Sequence, residues 1–222
     1  MIRALIFDFD GLILDTEVPE FQSWQETFQD HGCHLPLEAW VACIGTSADV
    51  FDPYRYLETQ LGRTVDRDAL RARHRQRCAA LLASQPVLPG IHMYLDDSQR
   101  LGLQRGVASS SSRAWVTGHL ERLDLLSHFV SIRCADDVPQ VKPDPALYHS
   151  TLEALGVRPD EAIAFEDSPN GILAAKRAGL FCVAVPNALT RNLPLHHADL
   201  QCASLAAMPL ADLLDTIRQS RS

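Results

Sequence analysis

Two aspartates, Asp8 and Asp10, stand two residues apart directly after a short, mostly apolar run at residues 3–7. A bounded apolar run of this length is typical of a buried strand, and ligands often bind beyond the carboxyl ends of parallel strands. Carboxylates there could bind a hard cation such as Mg2+, which prefers oxygen ligands, or attack a substrate as nucleophiles. The same pair could instead begin a solvated turn, because Asp is common in turns.

A run of four serines, residues 109–112, follows a second short apolar segment and leads into a helical pattern. Hydroxyls and free backbone N–H groups at the start of a helix can hold an anion. One of these serines could also simply cap the helix, since Ser is a favoured N-cap residue. The run therefore predicts an anion site or a plain helix cap.

Lys142 and the adjacent acids Glu166 and Asp167 add further charge. Lys142 is one of only two lysines in the chain, and its ammonium group could hold a phosphate beside carboxylates, although a solvated lysine is the ordinary alternative. Glu166 and Asp167 follow another apolar run. In one crevice with Asp8 and Asp10 they would repel each other, and a bound cation would remove that cost. The combination therefore predicts a metal site.

The second half of the chain alternates short apolar runs with helical patterns. Strands are predicted at residues 106–108, 129–132, 162–165 and 181–185, and helices at residues 113–123, 145–155 and 171–178. This alternation indicates an α/β fold, a Rossmann-like doubly wound parallel sheet with helices on both faces. The carboxyl ends of its strands share one edge, so the acids, serines and lysine can meet there.

Residues 16–86 have a different pattern, with no convincing strand. Phe21, Trp24 and Phe28 are spaced for one helical face, and a second apolar stripe includes Leu70 and Cys78. We predict that this segment is an all-helical cap domain inserted into the catalytic core, which then comprises residues 1–15 and 87–222. The two crossings, near residues 15–17 and 86–90, should act as hinges.

Composition excludes several classes of function. The 222 residues are 46% hydrophobic and carry a formal net charge of −8, which argues against a nucleic-acid partner, because binding to phosphate backbones needs a basic surface. No apolar stretch is long enough to span a membrane, and the start lacks the organisation of a signal peptide. The six cysteines include no C-x-x-C pair, which favours buried thiols over disulfides or zinc ligands. We expect a cytoplasmic protein.

Taken together, the motifs resemble those of the haloacid dehalogenase (HAD) superfamily. The resemblance rests on Asp8-Phe9-Asp10-Gly11, the serine after residues 106–108, Lys142-Pro143 and Glu166-Asp167-Ser168, which occur in the family's order. The continuation at residues 14–17 resembles the subgroup with a helical cap after the first strand. That subgroup includes β-phosphoglucomutase and many small-molecule phosphatases, so the resemblance implies phosphoryl-transfer chemistry.

The resemblance also implies roles for individual residues. Asp8 would attack phosphorus and form an aspartyl-phosphate, and Asp10 would be the general acid for the leaving oxygen and then the base for water. Mg2+ would be held by Asp8, the backbone carbonyl of Asp10 and Asp167, with Glu166 nearby or bonded through water. Phosphoryl oxygens would be held by Lys142 and by Ser109, which directly follows the strand, with Ser110 beside it.

Two positions bear on the class of reaction. Glu20 stands where β-phosphoglucomutases carry a histidine, and Ala48 where they carry a cap arginine. These departures favour hydrolysis, so we predict a Mg2+-dependent phosphatase acting on a small, sugar phosphate-like metabolite. A hexose phosphate mutase is the alternative, and a catalytically idle binding module is a third possibility. Glu17, Gly45 and Thr46 are the candidate substrate contacts in the cap.

Overall fold

The computed structural model describes residues 1–41 and 51–220, and it is built on a six-stranded sheet. The strands are β1 (Ala4–Phe7), β2 (Gln104–Ala108), β3 (Ser131–Arg133), β4 (Ala162–Glu166), β5 (Phe181–Ala184) and β6 (Leu200–Gln201). They lie in the order β3-β2-β1-β4-β5-β6, and every neighbouring pair is parallel. The predicted doubly wound α/β fold is confirmed, with β6 as an additional edge strand.

Nine α-helices accompany the sheet in the described part of the chain. They are α1 (Glu17–Asp30), α2 (Leu37–Val41), α3 (Pro53–Leu61), α4 (Arg67–Ala83), α5 (Ile91–Arg100), α6 (Arg113–Arg122), α7 (Ala146–Leu155), α8 (Pro169–Arg177) and α9 (Leu210–Ser220). Side-chain caps explain several starts: Ser112 accepts from Trp115 N–H at α6, and Ser168 accepts from Gly171 N–H at α8, where Pro169 fits the first turn.

The sheet is covered on both faces because successive strand residues point to opposite sides. Leu5 and Phe7 of β1 belong to one apolar cluster, which also contains residues of α5, α6 and α9. Ala4 and Ile6 belong to a second cluster, which contains residues of α7 and α8. A central strand that is apolar on both faces is typical of parallel sheets, and here it places Asp8 at the sheet's carboxyl edge.

The segment between β1 and β2 contains helices α1 to α5, of which α1 to α4 lie within residues 16–86. Helices α1 and α4 pack together, and Phe21, Trp24 and Phe28 lie in a third apolar cluster with Leu57 and Leu70. None of the described helices is long and apolar enough to cross a membrane.

The chain enters and leaves this helical segment at adjacent points. Leu14 and Val87 form an antiparallel bridge, and Leu88 N–H donates to the Ile13 carbonyl at 2.9 Å. The two crossings are therefore held side by side by backbone hydrogen bonds.

Candidate active site

Asp8 is the first residue beyond β1, and its position is fixed by the sheet. Its N–H donates to the Phe165 carbonyl of β4 at 3.0 Å, and its side chain is nearly buried. The loop that follows turns at Gly11, which has φ +76°. A Cβ at Gly11 would overlap the Asp167 carboxylate and lie 2.7 Å from Nδ2 of Asn187, so only glycine lets this loop lie against Asp167.

Lys142 joins two of the acids directly. Its Nζ lies 2.7 Å from Oδ1 of Asp8 and 2.6 Å from Oε1 of Glu166, and its side chain is 5% exposed. The ammonium also lies 5.3 Å from the centre of the Tyr148 ring. Although burial opposes it, the charges of Asp8 and Glu166 raise the pKa of Lys142. The lysine therefore stays charged between the two carboxylates.

Three carboxylates converge at this edge. Oxygens of Asp8, Glu166 and Asp167 lie within 4.8 Å of one another, and all three residues are buried. Oε1 of Glu166 accepts from Tyr148, whereas Oε2 of Glu166 has no hydrogen-bond partner among the described residues. An all-oxygen set with one unpartnered buried atom matches the donor chemistry that Mg2+ prefers.

The electrostatics of these acids reflect their burial and mutual repulsion. Burial and the charge of Glu166 raise the pKa of Asp8 to about 7, although Lys142 opposes the rise. Burial and the charges of Asp8 and Glu17 hold the pKa of Asp167 well above its usual range. The single positive charge of Lys142 does not neutralise three buried carboxylates, so a further positive charge would stabilise this cluster.

The Asp10 carboxylate contacts the segment that follows β2. Its Oδ2 accepts from the Ser111 hydroxyl at 2.7 Å, and its Oδ1 accepts from Trp115 Nε1 at 2.9 Å. Both donors lie at the start of α6. The Asp10 carboxylate is thus held by hydrogen bonds on both oxygens.

The structure separates the members of the serine run. Ser109 is fully buried, and its Oγ accepts from Ser111 N–H at 3.0 Å and lies 3.4 Å from Asp10 Oδ2. Ser110 is exposed, and Ser112 caps α6. The helix cap predicted for this run is therefore confirmed at Ser112. Ser109 and Ser111 face the Asp10 carboxylate, and the anion site stays a prediction.

Asn187, Tyr148 and Trp115 are site residues that sequence reasoning missed. Nδ2 of Asn187 donates to Asp167 Oδ2 at 2.8 Å, while its Oδ1 accepts from the N–H groups of Leu189 and Thr190. Asn187 follows β5, so the rule that placed acids at strand ends could have indicated it. Tyr148 and Trp115 lie within predicted helices, but the helical pattern gave no sign of their polar contacts.

In the helical segment, Glu17 begins α1 close to the core acids. Burial raises its pKa to about 8, and the charges of Asp10, Glu20, Asp15 and Asp8 add to the shift. Glu20 accepts a hydrogen bond from the Cys78 thiol. The other two predicted cap contacts, Gly45 and Thr46, lie outside the described residues.

Comparison with known proteins gives a family match over most of the chain. The family model described as haloacid dehalogenase-like hydrolase matches residues 5–185. This range includes Asp8, Lys142, Glu166 and Asp167, the residues that converge at the sheet edge.

Individual proteins are similar over nearly their whole length. YhcW of Bacillus subtilis (strain 168), a candidate phosphatase by name, is 49% identical over 215 residues, which are 97% of each chain. Validoxylamine A 7'-phosphate phosphatase of Streptomyces hygroscopicus subsp. limoneus is 32% identical over 194 residues, covering 83% of this chain and 86% of that protein. The crystal structure of CbbY from Rhodobacter sphaeroides in complex with phosphate has a TM-score of 0.74 at 28% identity, covering 96% of this chain and 99% of that one.

Proposed function

The chain belongs to the haloacid dehalogenase-like hydrolases, and on that basis we propose that it is a Mg2+-dependent phosphatase that hydrolyses a small phosphorylated metabolite through an aspartyl-phosphate. The observation that carries the proposal is the contact of Lys142 with both Asp8 and Glu166. This contact supports a site in which the proposed nucleophile Asp8 and the ammonium group of Lys142 act on the same phosphoryl group. Phosphoryl transfer needs little more than such positioning and charge neutralisation.

A divalent cation fits the chemistry of this site. Asp8, Glu166 and Asp167 offer buried oxygen ligands within 4.8 Å of one another, and the backbone carbonyl of Asp10 is a further candidate ligand. Bound Mg2+ would neutralise charge on the phosphoryl oxygens and on the carboxylates that hold it. Asn187 holds Asp167 by a hydrogen bond to Oδ2, which supports Asp167 as a ligand of fixed orientation.

In the first step, a carboxylate oxygen of Asp8 forms a bond to phosphorus while the bond from phosphorus to the leaving oxygen breaks. Asp10 gives its proton to that leaving oxygen, so the alcohol departs neutral. Lys142 stays protonated and donates to a phosphoryl oxygen, as do the hydroxyl and N–H groups of the segment beginning at Ser109. The products of this step are the alcohol and a phosphorylated Asp8.

In the second step, water attacks the phosphorus of the aspartyl-phosphate. Asp10, now a carboxylate, accepts the proton of this water, and the bond between phosphorus and the Asp8 oxygen breaks. Inorganic phosphate leaves, and both aspartates return to their starting protonation states. Asp10 can serve both steps because the alcohol leaves from the side of phosphorus opposite Asp8 and the water attacks from that same side.

A phosphorylated polyol or sugar is the substrate class that the site supports best. Glu17 lies close enough to Asp10 and Asp8 for their charges to raise its pKa, and a carboxyl group there can bind sugar hydroxyls. Glu17 also supplies no positive charge that could bind a second phosphate, which favours monophosphates over bisphosphates. The name of one relative, validoxylamine A 7'-phosphate phosphatase, indicates that it acts on a small phosphorylated molecule.

We propose that residues 16–86 act as the cap that selects this substrate. Their helices share an apolar cluster, and the hydrogen-bonded crossings at Leu14 and Val87 would let the segment move as a unit. Closure would exclude bulk water from the aspartyl-phosphate site.

The absence of a C-x-x-C pair in the sequence and the five free cysteines in the described residues support a reducing, cytoplasmic location.

The proposal is tested by measuring phosphate release from p-nitrophenyl phosphate and from a panel of hexose, pentose and hexitol monophosphates, with Mg2+ or with EDTA. We expect release only with Mg2+, and the Asp8→Asn variant should lose at least about 1,000-fold of it, since removing a nucleophile abolishes covalent catalysis. Acid-quenched wild type should carry one phosphoryl group on the peptide that contains Asp8.

Asp97→Asn is the matched control, because Asp97 lies on α5 and its carboxylate pairs with Arg100. It should retain wild-type activity. Interconversion of hexose 1- and 6-phosphates with little release of phosphate would replace the phosphatase with a mutase. No turnover of any phosphate together with no Mg2+ binding would indicate a binding module instead.

A further inference from the structure

Trp115 makes a polar contact that the roles above do not require. Its indole Nε1 donates to Oδ1 of Asp10 at 2.9 Å, across 105 residues of sequence. The ring packs edge-on against His119, with centroids 4.4 Å apart, and His119 in turn lies 6.2 Å from the ring of Phe9. The indole is thus held between Asp10 and His119.

The start of α6 fixes the direction of this indole. Trp115 N–H donates to the cap residue Ser112, so Trp115 lies in the first turn of the helix. The same segment supplies Ser111, whose hydroxyl donates to the second Asp10 oxygen. Two donors from one short segment therefore set the plane of the Asp10 carboxylate.

The two donors differ in chemistry. An indole N–H is a donor only, whereas a serine hydroxyl can rotate and can also accept. Because the indole has no acceptor, it cannot take the proton that Asp10 must deliver, and it can only orient the group that carries it. A carboxylate has about four lone-pair sites. Asp10 accepts from Ser111, Trp115 and, at 3.4 Å, from the Ser109 hydroxyl, so one lone pair is still free to face a substrate.

We propose that Trp115 is a positioning residue for Asp10, which it holds in the orientation needed to protonate the leaving oxygen. This inference rests on the proposed phosphatase function. A residue that acts through Asp10 contributes only as much as the leaving group needs a proton. A poor leaving group requires protonation in the transition state, whereas a good one departs as the anion.

A pair of aryl phosphates of nearly equal size makes the test. Phenol is a much poorer leaving group than p-nitrophenol, and kcat/KM reports the steps up to the first irreversible one, the transfer to Asp8. In Trp115→Phe, which keeps an aromatic ring beside His119, we expect kcat/KM for phenyl phosphate to fall about 10-fold, a part of the usual contribution of a general acid. For p-nitrophenyl phosphate it should change by less than about 2-fold.

Trp24→Phe is the matched control, since Trp24 lies in the helical segment and stacks on His74. It should leave the ratio of the two kcat/KM values unchanged. An equal loss for both substrates in Trp115→Phe, or no loss for either, would overturn the proposal, because a purely structural role does not distinguish leaving groups.

A spectroscopic measurement tests the contact without relying on activity. The chain has three tryptophans, so its 15N-labelled form gives three indole N–H signals, and the signal missing in Trp115→Phe belongs to Trp115. We expect Asp10→Ala to shift this signal more than the other two. An unshifted Trp115 signal would contradict the proposal even in an active enzyme. If no phosphate is hydrolysed, the phosphatase function fails, while a shifted signal would still show the contact.

Discussion

Nζ of Lys142 donates a 2.7 Å hydrogen bond to Oδ1 of Asp8, so the cation proposed to bind phosphate is already bonded to the proposed nucleophile. The same Nζ lies 2.6 Å from Glu166. The lysine is therefore a structural counter-charge for two buried acids as well as a candidate phosphate ligand. Removing the Lys142 ammonium group should lower both the stability of the fold and the rate of the reaction. Added Mg2+ should restore the stability but not the rate.

Lys142→Met should lower kcat/KM for p-nitrophenyl phosphate by about 100-fold or more, as expected when a charged donor to a transition state is lost. It should also destabilise the metal-free protein by about 3 kcal/mol, because breaking a buried pair leaves uncompensated charge. The loss in melting temperature, measured by thermal unfolding in EDTA, should shrink when Mg2+ is added.

Lys176→Met is the natural comparison, since Lys142 and Lys176 are the only lysines. Lys176 pairs with Asp199, and both side chains are about one-third exposed or slightly less. We expect this variant to keep full activity and to respond to Mg2+ as the wild type does. A Mg2+-independent loss of stability in Lys142→Met would contradict the role assigned to Lys142.

Gly171→Ala should damage the metal site without touching an acid. A Cβ at Gly171, in the first turns of α8, would overlap the Glu166 carboxylate, which must then move. We expect Mg2+ affinity, measured by calorimetry, to fall about 10-fold or more, and stability to fall by about 1–3 kcal/mol from overpacking.

Gly118→Ala makes the same substitution in α6, where a Cβ would meet nothing within 4 Å. It should leave Mg2+ binding unchanged and stabilise the protein by up to about 1 kcal/mol, the helix preference of Ala over Gly. Equal effects of the two substitutions on Mg2+ affinity would remove Glu166 from the metal site.

Asn187→Ala should lower the affinity for Mg2+ about 10- to 100-fold, because it removes the hydrogen bond that orients Asp167. Thr190→Val separates this effect from loosening of the turn. The Thr190 hydroxyl accepts from Asn187 N–H, so this variant weakens the same turn but leaves the contact with Asp167. If Thr190→Val weakens Mg2+ binding as much as Asn187→Ala, orientation of Asp167 is not the cause.

Glu17 should make the metal-free protein less stable as pH rises. Its pKa is raised from 4.5 to about 8, so between these values the folded protein binds a proton that the unfolded chain has released. Stability from this group is therefore present at low pH and lost as pH rises toward 8. Glu17→Gln should raise the melting temperature in EDTA by a few degrees at pH 8 and by almost nothing at pH 4.5.

Glu58→Gln should show the opposite sign. Hydrogen bonds from Arg67 lower the pKa of Glu58. The ionised carboxylate therefore contributes to the stability of the fold at every pH above the ordinary pKa of a glutamate. This variant should have a slightly lower melting temperature that does not change between pH 5 and 8. If Glu17→Gln raises the melting temperature by the same amount at pH 4.5 and at pH 8, titration of Glu17 is excluded as the cause.

The core of the site could be predicted because one topological rule places its parts. Asp8 follows β1 and Glu166 ends β4, two strands whose apolar runs can be recognised in the sequence, and parallel strands end at the same edge. Asn187 obeys the same rule after β5, but an isolated amide carries no signature of its partner. Strand β6 is only two residues long, too short for any periodic pattern.

The serine run shows a different limit. Four identical residues give no means of telling which hydroxyl faces Asp10, because that depends on the turn between β2 and α6. The structure turns Ser111 toward the carboxylate and leaves Ser110 exposed. The contact of Trp115 with Asp10 was equally unreadable, since helical periodicity describes apolar faces and not the direction of one N–H group.

The bridge between Leu14 and Val87 has a consequence for how such proteins can diversify. Because the two ends of the inserted helices are bonded neighbours, the sheet closes in the same way whatever lies between them. An insert of another length or shape could be exchanged at this junction without moving Asp8 or Lys142. Under the proposed roles of the two parts, selection of the substrate and the chemistry performed on it could therefore evolve as separate modules of one chain.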